Sequence, residues 1–312
     1  MAQVSSTSAI VILGSLDDEH AAWVADQVAA RGRRVVWLDG QEFPGSLRIA
    51  MEPGVGGLLT PGDGSPPLAF DEIQSVYWRC YTGNGYSDLP NAEQAELAVN
   101  DSRSLLESVL IDLPVRWVNG WNGFQIHQCK PAALAHVRRL DLPASVQIPE
   151  TLHTNDPTSV APFVDRVGPC IYKPVQGGAH TRRLNEEHLT DAHLALLQHA
   201  PVTIQQEITG TDIRVFVAGE RIMACELLTD ALDFRDDDDL QINAIELPIE
   251  VGKACVQIAR SLDLLWTGID LRRTTPGEYY YFEANPSPMF LGFESRCDLP
   301  LTESLVDLLT FA

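Results

Sequence analysis

The chain has 312 residues, 45% of them hydrophobic, which is enough for two or three packed subdomains with sizeable cores. A formal charge of −21 and a pI near 4.6 exclude nucleic acid and anionic membranes as expected partners, because the long-range field repels phosphate. Six cysteines stand singly with no CxxC and no Cys/His ligand spacing, and there is neither a signal peptide nor an apolar run of about 18 residues, so a reduced cytoplasmic protein is expected.

Ala9 to Leu13 (AIVIL) reads as a short buried strand, Asp18 to Arg31 as a helix with acids in its first turn, and Arg34 to Leu38 as the next strand. Glu52 to Pro67 is rich in Gly and Pro and reads as turns around one short strand. Ser75 to Tyr81 (SVYWRCY) is a further buried strand, and Glu93 to Leu110 is the longest helical pattern in this half. These elements predict a small N-terminal α/β domain over residues 1–115. A stretch punctuated by Pro114, Pro131, Pro143 and Pro149 follows, with a helix around Pro131 to Leu140. Strand patterning then takes over at Cys170 to Lys173, Val202 to Glu207, Ile213 to Ala218 and Arg221 to Leu228, with a hairpin turn at Gly219-Glu220. Pro248 to Leu262 is a helix, Trp266 to Arg273 and Tyr279 to Glu283 are strands, and Leu301 to Leu309 is a closing helix.

Three segments carry chemistry. In WTGIDLRRTTPGEYYYFEANPSP, Asp270 lies on one strand and Glu283 and Asn285 on the next, joined by a turn at Pro276-Gly277. Residues two apart on a strand share a face, so Glu283 and Asn285 point together and the hairpin brings Asp270 beside them. Two carboxylates and an amide oxygen make a hard oxygen set suited to Mg²⁺; the alternative is a solvated face with ordinary acids. In IYKPVQGGA an apolar strand ends at Lys173 and a Gly177-Gly178 turn follows, where backbone N–H groups and one ammonium can meet phosphate. In TIQQEI, followed by TDIRV, an extended segment can offer backbone groups to an adenine edge, with Asp212 for ribose and Arg214 for an anionic acyl group. The plain alternative there is an amphipathic strand with an Asp212–Arg214 salt bridge.

The order of Lys130, Lys173 with its glycine turn, QQEI…DIRVFVAGE and GIDL…FEANPSP resembles ATP-grasp ligases of the RimK-like branch, from about Asn119 onward. The resemblance implies an ATP-grasp domain over residues 116–312, with a central subdomain to about residue 200 and a C-terminal subdomain from about 201, the latter part α+β in character. It places Lys130 and Lys173 on nucleotide phosphates, Gln206, Glu207 and Ile208 at the adenine hinge, Asp212 at the ribose, and Asp270, Glu283 and Asn285 on magnesium, with two ions expected. Arg235 matches an arginine before a loop over the triphosphate, and Arg214 and Arg272 fall where arginines stabilise an acyl phosphate. The activity implied is ATP- and Mg²⁺-dependent: a carboxylate becomes an acyl phosphate, ADP is released, and an amine or hydroxyl displaces phosphate. No GxSxG or Cys/His nucleophile is needed or found.

Two departures refine this. Arg235 is followed by Asp236 to Asp239, a solvated acidic loop or a recognition element for a cationic peptide. The bulky apolar residues after Asn285, in Pro286 to Glu294, and the Trp78-Arg79 strand look more like the graspetide (microviridin-type) maturases, which close rings in ribosomal peptides. The expected substrate is therefore a peptide or small carboxylate, with a homodimer compatible. An amino-acid ligase of RimK type and a catalytically silent nucleotide-binding or peptide-docking protein are the alternatives. Among His127, His153 and His180, only His180 is expected near the chemistry, as a hydrogen-bonding loop residue.

Overall fold

A computed structural model describes residues 8–81, 83, 87–178, 180–229, 231, 234–237 and 239–311. Strand β1 (Ala9–Leu13) leads into helix α1 (Glu19–Ala30), whose N-cap Asp18 accepts the Ala21 amide at 2.8 Å. Strand β2 (Arg34–Leu38) returns beside β1. The stretch from Glu52 to Pro67 holds one strand, Gly56–Thr60 (β4), and this pairs with Arg48–Glu52 (β3) before it and Leu68–Ala69 (β5) after it in a small three-stranded sheet. Strand β6 (Ile73–Trp78), helix α2 (Ala92–Asp112) and strand β7 (Arg116–Val118) complete a parallel sheet ordered β2-β1-β6-β7. A parallel sheet is covered on both faces, which is why AIVIL is apolar throughout rather than alternating. Ala9, Val11 and Leu13 pack in one cluster with Leu106, Val109 and Leu110 of α2; Ile10 and Ile12 pack in another with Ala21, Val24 and Val28 of α1.

Helices α3 (Trp121–Gln128) and α4 (Lys130–Val137) lead to strand β8 (Val146–Gln147). Strand β9 (Thr151–Thr154), helix α5 (Val160–Val167), strands β10 (Cys170–Pro174) and β11 (Arg182–Arg183), helix α6 (Asp191–Leu194) and strand β12 (Val202–Gln206) build an antiparallel sheet ordered β11-β10-β12-β9. Its back is filled by Val160, Phe163, Cys170 and Ile204.

The largest sheet follows. Strands β13 (Thr211–Ala218), β14 (Arg221–Leu228) and β15 (Gln241–Ile245), helix α7 (Ile249–Ser261), strands β16 (Trp266–Arg273) and β17 (Tyr279–Asn285), and helices α8 (Leu291–Cys297) and α9 (Leu301–Thr310) run in that order. The sheet is ordered β15-β14-β13-β16-β17-β8, antiparallel but for β17 with β8. Val215, Val217, Ile269 and Tyr281 pack with the buried stripe of α7 on one face. On the other face Phe216, Ala218 and Trp266 join α9 and the first sheet in one cluster. Leu301, Leu305, Val306 and Leu309 of α9 are fully buried there, and the Ser75 hydroxyl donates to the Leu309 carbonyl at 2.8 Å. The first α/β layer is thus completed by a helix lying more than 200 residues further along the chain.

Candidate active site

The polar half of the large sheet's second face is set by cross-strand register. Asp212 pairs with Arg272, Arg214 with Asp270, and Asp270 with Glu283 across β13, β16 and β17. Gly268 pairs with Asn285 one step further along, so Glu283 and Asn285 share a face. The Arg214 guanidinium lies 2.9 Å from Asp270. Arg272 grips Asp212 with two bonds of 2.6 and 2.9 Å and donates to the Ile208 carbonyl at 3.0 Å. The salt bridge that Asp212 and Arg214 might have formed along one strand is replaced by two cross-strand pairs, because facing residues are closer than residues two apart. A Cβ on Gly268 would stand 3.0 Å from Arg214 Nη1 and 2.8 Å from Pro288, so glycine there leaves room for the guanidinium.

Beyond Asp270 the register slips and Phe282 is the extra residue on β17. Tyr281 is buried in the core, while Phe282 and Glu283 both line a cleft with Lys130, Lys173, His127, His153, Thr203 and Gln205. Lys130, the first residue of α4, reaches Glu283 at 2.6 Å. Its ammonium also lies 3.2 Å from where a Cβ on Gly177 would sit, and Gly177 has φ +106°, which a side chain rarely tolerates. The glycine turn after Lys173 and the lysine of α4 therefore meet at one place. Lys173 Nζ donates to Gln205 at 3.2 Å and lies 5.9 Å from the Phe282 ring centroid.

Burial pushes the Asp270 carboxyl up to about 6, against the pull of Arg214, with Glu283 adding to the rise. Burial works most strongly to raise Glu283, but Lys130 and Lys173 together with His127 outweigh it and hold this carboxyl below its ordinary value. Burial lowers the Lys173 ammonium, with Glu283 opposing. His127 Nδ1 donates to the Ala284 carbonyl at 3.2 Å and His153 sits 3.0 Å from the Thr203 hydroxyl; burial holds both below the usual histidine value. These two line the cleft, contrary to the expectation that His180 alone lies near the chemistry. His180 pairs with Asp236 at 2.6 Å, and Asp237 is bonded by the Thr229 hydroxyl. Asp238 and the Arg235 side chain lie outside the described residues, Arg235 falling in the short turn Phe234–Asp236.

At the predicted hinge, the Gln206 amide donates to the Glu150 carbonyl at 2.8 Å and the Glu207 amide to the Pro169 carbonyl at 2.9 Å. The Glu207 side chain accepts from Arg183 at 2.9 Å. Among the described residues, the Glu207 carbonyl and the Ile208 amide have no backbone partner outside regular strands. An adjacent carbonyl and amide of this kind can serve a planar heterocycle edge as acceptor and donor. Among the described residues no three His, Cys, Asp or Glu side chains form a metal cage. Two carboxylates and one amide oxygen fit a magnesium ion whose remaining positions are filled by phosphate and water oxygens.

The chain that builds this cleft, with its two lysines, Glu283 and the neighbouring Asp270, is similar to known proteins. The chain is 33% identical to the ATP-grasp ligase PsnB, solved with a phosphomimetic variant of minimal precursor, Mg and ADP; the match covers 98% of each chain with a TM-score of 0.83. The chain belongs to the ATP-grasp ligases. The macrocyclase MdnC from Microcystis aeruginosa MRC, bound with precursor peptide MdnA, has the same fold at 22% identity and a TM-score of 0.83, over 98% of this chain and 100% of that one. A probable alpha-L-glutamate ligase of Rhodopirellula baltica is 29% identical over 174 residues, 52% of this chain and 43% of that protein. The chain spans about half the length of the curated relatives it matches. No family model matches it. No helix among the described residues is long and apolar enough to cross a membrane.

Proposed function

We propose that this protein is an ATP- and Mg²⁺-dependent, ADP-forming ligase that joins a side-chain carboxylate of a ribosomal precursor peptide to an amine or hydroxyl of the same peptide. The observation that carries the reading is the convergence of Lys130, Glu283, Asp270 and the Gly177 turn on one cleft, in a chain that matches PsnB, a protein solved with precursor, Mg and ADP, over its whole length. Lys130 and Lys173 bind the phosphates, and the burial of Lys173 leaves its attraction for phosphate weakly screened. Asp270, Glu283 and Asn285 hold the metal, which when bound neutralises charge on the phosphates. The Glu207 carbonyl and Ile208 amide take the adenine edge. Asp212, oriented by Arg272, meets the ribose; Arg272 thereby acts on the nucleotide side instead of on the acyl group. Arg214 remains beside Asp270 for the acyl phosphate, and Arg235 is assigned to the triphosphate.

In the first step a carboxylate oxygen of the substrate bonds to the γ-phosphorus and the bond to the β–γ bridging oxygen breaks, releasing ADP. In the second, the amine or hydroxyl attacks the acyl carbon, inorganic phosphate leaves, and the nucleophile's proton is lost. Each closed bond removes one water from the peptide. Incubation with ATP, Mg²⁺ and the precursor peptide encoded beside the gene, read by intact mass, tests this: successive losses of water accompany ADP release. A gain equal to an added amino acid residue instead supports the second reading, an amino-acid ligase, which the similarity to probable alpha-L-glutamate ligases favours. AMP as product excludes both.

A further inference from the structure

Arg79 follows β6 at the cleft end of the first sheet and is only 9% exposed. Its Nε donates to both oxygens of Asp18, the α1 cap, at 3.0 Å. Its Nη1 reaches across to the segment after β17, donating to the Ser287 hydroxyl at 2.7 Å, the Ser287 carbonyl at 2.9 Å and the Pro288 carbonyl at 3.3 Å. The Ser287 hydroxyl donates back to the Arg79 carbonyl at 2.5 Å. The same turn is held from a second side: the buried Asn119 amide donates to the Pro286 carbonyl at 2.8 Å. The Ser287 amide in turn donates to Asn285 Oδ1 at 2.9 Å, which fixes the direction of that amide oxygen and leaves its second lone pair free.

We infer that Arg79 is a positioning residue for the metal site: by fixing Ser287 it aims the Asn285 oxygen, and so ties the metal affinity of the cleft to the first α/β layer. This rests on the assignment of Asn285 as a metal ligand. A fork-shaped guanidinium bonded on one side to Asp18 and on the other to Ser287 is hard to replace with lysine, whose ammonium cannot span both sets at their present spacing. Groups that orient a metal ligand change metal affinity about 10- to 100-fold when removed.

The test is Mg²⁺-dependent binding of a fluorescent ADP analogue, needing no peptide and no turnover. Arg79→Met is expected to raise the half-saturating Mg²⁺ about tenfold or more, Arg79→Lys to fall between it and the wild type, and Ser287→Ala to raise it about threefold or more. Affinity for the analogue in EDTA stays at the wild-type value, which a merely structural strut would not preserve. An unchanged Mg²⁺ midpoint in Arg79→Met and Ser287→Ala overturns the inference, as does a shift matched by equal loss of affinity in EDTA. Should Arg79→Met fail to fold, Ser287→Ala decides, since it removes one hydroxyl only. A wild-type protein whose nucleotide binding ignores Mg²⁺ overturns the proposed function itself, a result distinct from the others.

Discussion

Glu283→Gln separates the chemistry of the cleft from its architecture. The substitution keeps shape and one acceptor oxygen while removing a charge between Lys130 and Asp270. The Lys130–Glu283 contact, 2.6 Å long with side chains 27% and 32% exposed, is a charge-assisted bond; such a bond contributes about 2 kcal/mol, and its neutral counterpart about half. The loss of about 1 kcal/mol is offset by relief of the repulsion that Glu283 exerts on Asp270. The melting temperature should therefore move by no more than about 2–4 °C. Turnover should fall at least about 100-fold, or ~2.7 kcal/mol of transition-state stabilisation, because the metal loses a charged ligand. Coupled ADP release and differential scanning fluorimetry on the same preparation measure both. Turnover within threefold of wild type would place the metal elsewhere, and a melting shift above about 8 °C would make Glu283 a structural ion-pair member.

Three further outcomes are expected. Gly268→Ala brings a methyl to 3.0 Å from Arg214 Nη1 and 2.8 Å from Pro288, so turnover should drop about tenfold or more as Arg214 leaves Asp270; wild-type turnover would show that the guanidinium's place is immaterial. His20 is buried, its ring lies edge-on to Phe290 at 4.9 Å, and burial first and Arg79 second hold it below the ordinary histidine value despite Asp18 and Glu19. Its depressed folded value means stability is fully present above about pH 6.5 and is lost as pH falls through that range, because the unfolded chain takes the proton first; His20→Phe should flatten the decline in melting temperature between about pH 7 and pH 5, and parallel acid limbs would contradict this. Leu305→Ala, at a fully buried position of α9, should cost about 2–5 kcal/mol and raise hydrogen exchange in β1 and β6 as well as in α9; deprotection confined to α9 would refute the shared core.

The elements with strong periodicity were legible from residues alone: β1, β2, β14 and β16 fall at the predicted boundaries, and α1 and α7 differ by their caps. What escaped were elements that rely on partners. β4 lies in a Gly- and Pro-rich stretch with weak strand patterning, β3 and β5 flank it, and the three are sustained by pairing with one another. α3 and α5 have 8 residues each, too short for periodicity to outweigh their surroundings. In the site, the Asp270, Glu283 and Asn285 spacing was readable because a hairpin is local. Lys130 was reached through the family resemblance and not from local pattern, since its partner Glu283 lies 153 residues away. The bulge that sends Phe282 into the cleft has no glycine to announce it, and the pairing of Arg272 with Asp212 depends on a register that no single strand reveals. His127 and His153 carry no motif; one comes to the cleft on helix α3 and the other on strand β9, by packing that no local pattern reveals.

The seating of α9 against the first sheet also fixes an order of events in synthesis. Ile10, Ile12 and Tyr77 leave the ribosome more than 200 residues before the side chains that seal them, Leu301, Leu305 and Leu309. Until then the nascent first layer presents an apolar face that α1 covers only in part, the kind of surface on which chaperones act and aggregates begin. Co-translational folding can therefore proceed through the middle of the chain while its earliest strands wait. A chain ended before α9 should keep protease resistance in the β11-β10-β12-β9 sheet, which has its own core, and lose it in the first sheet.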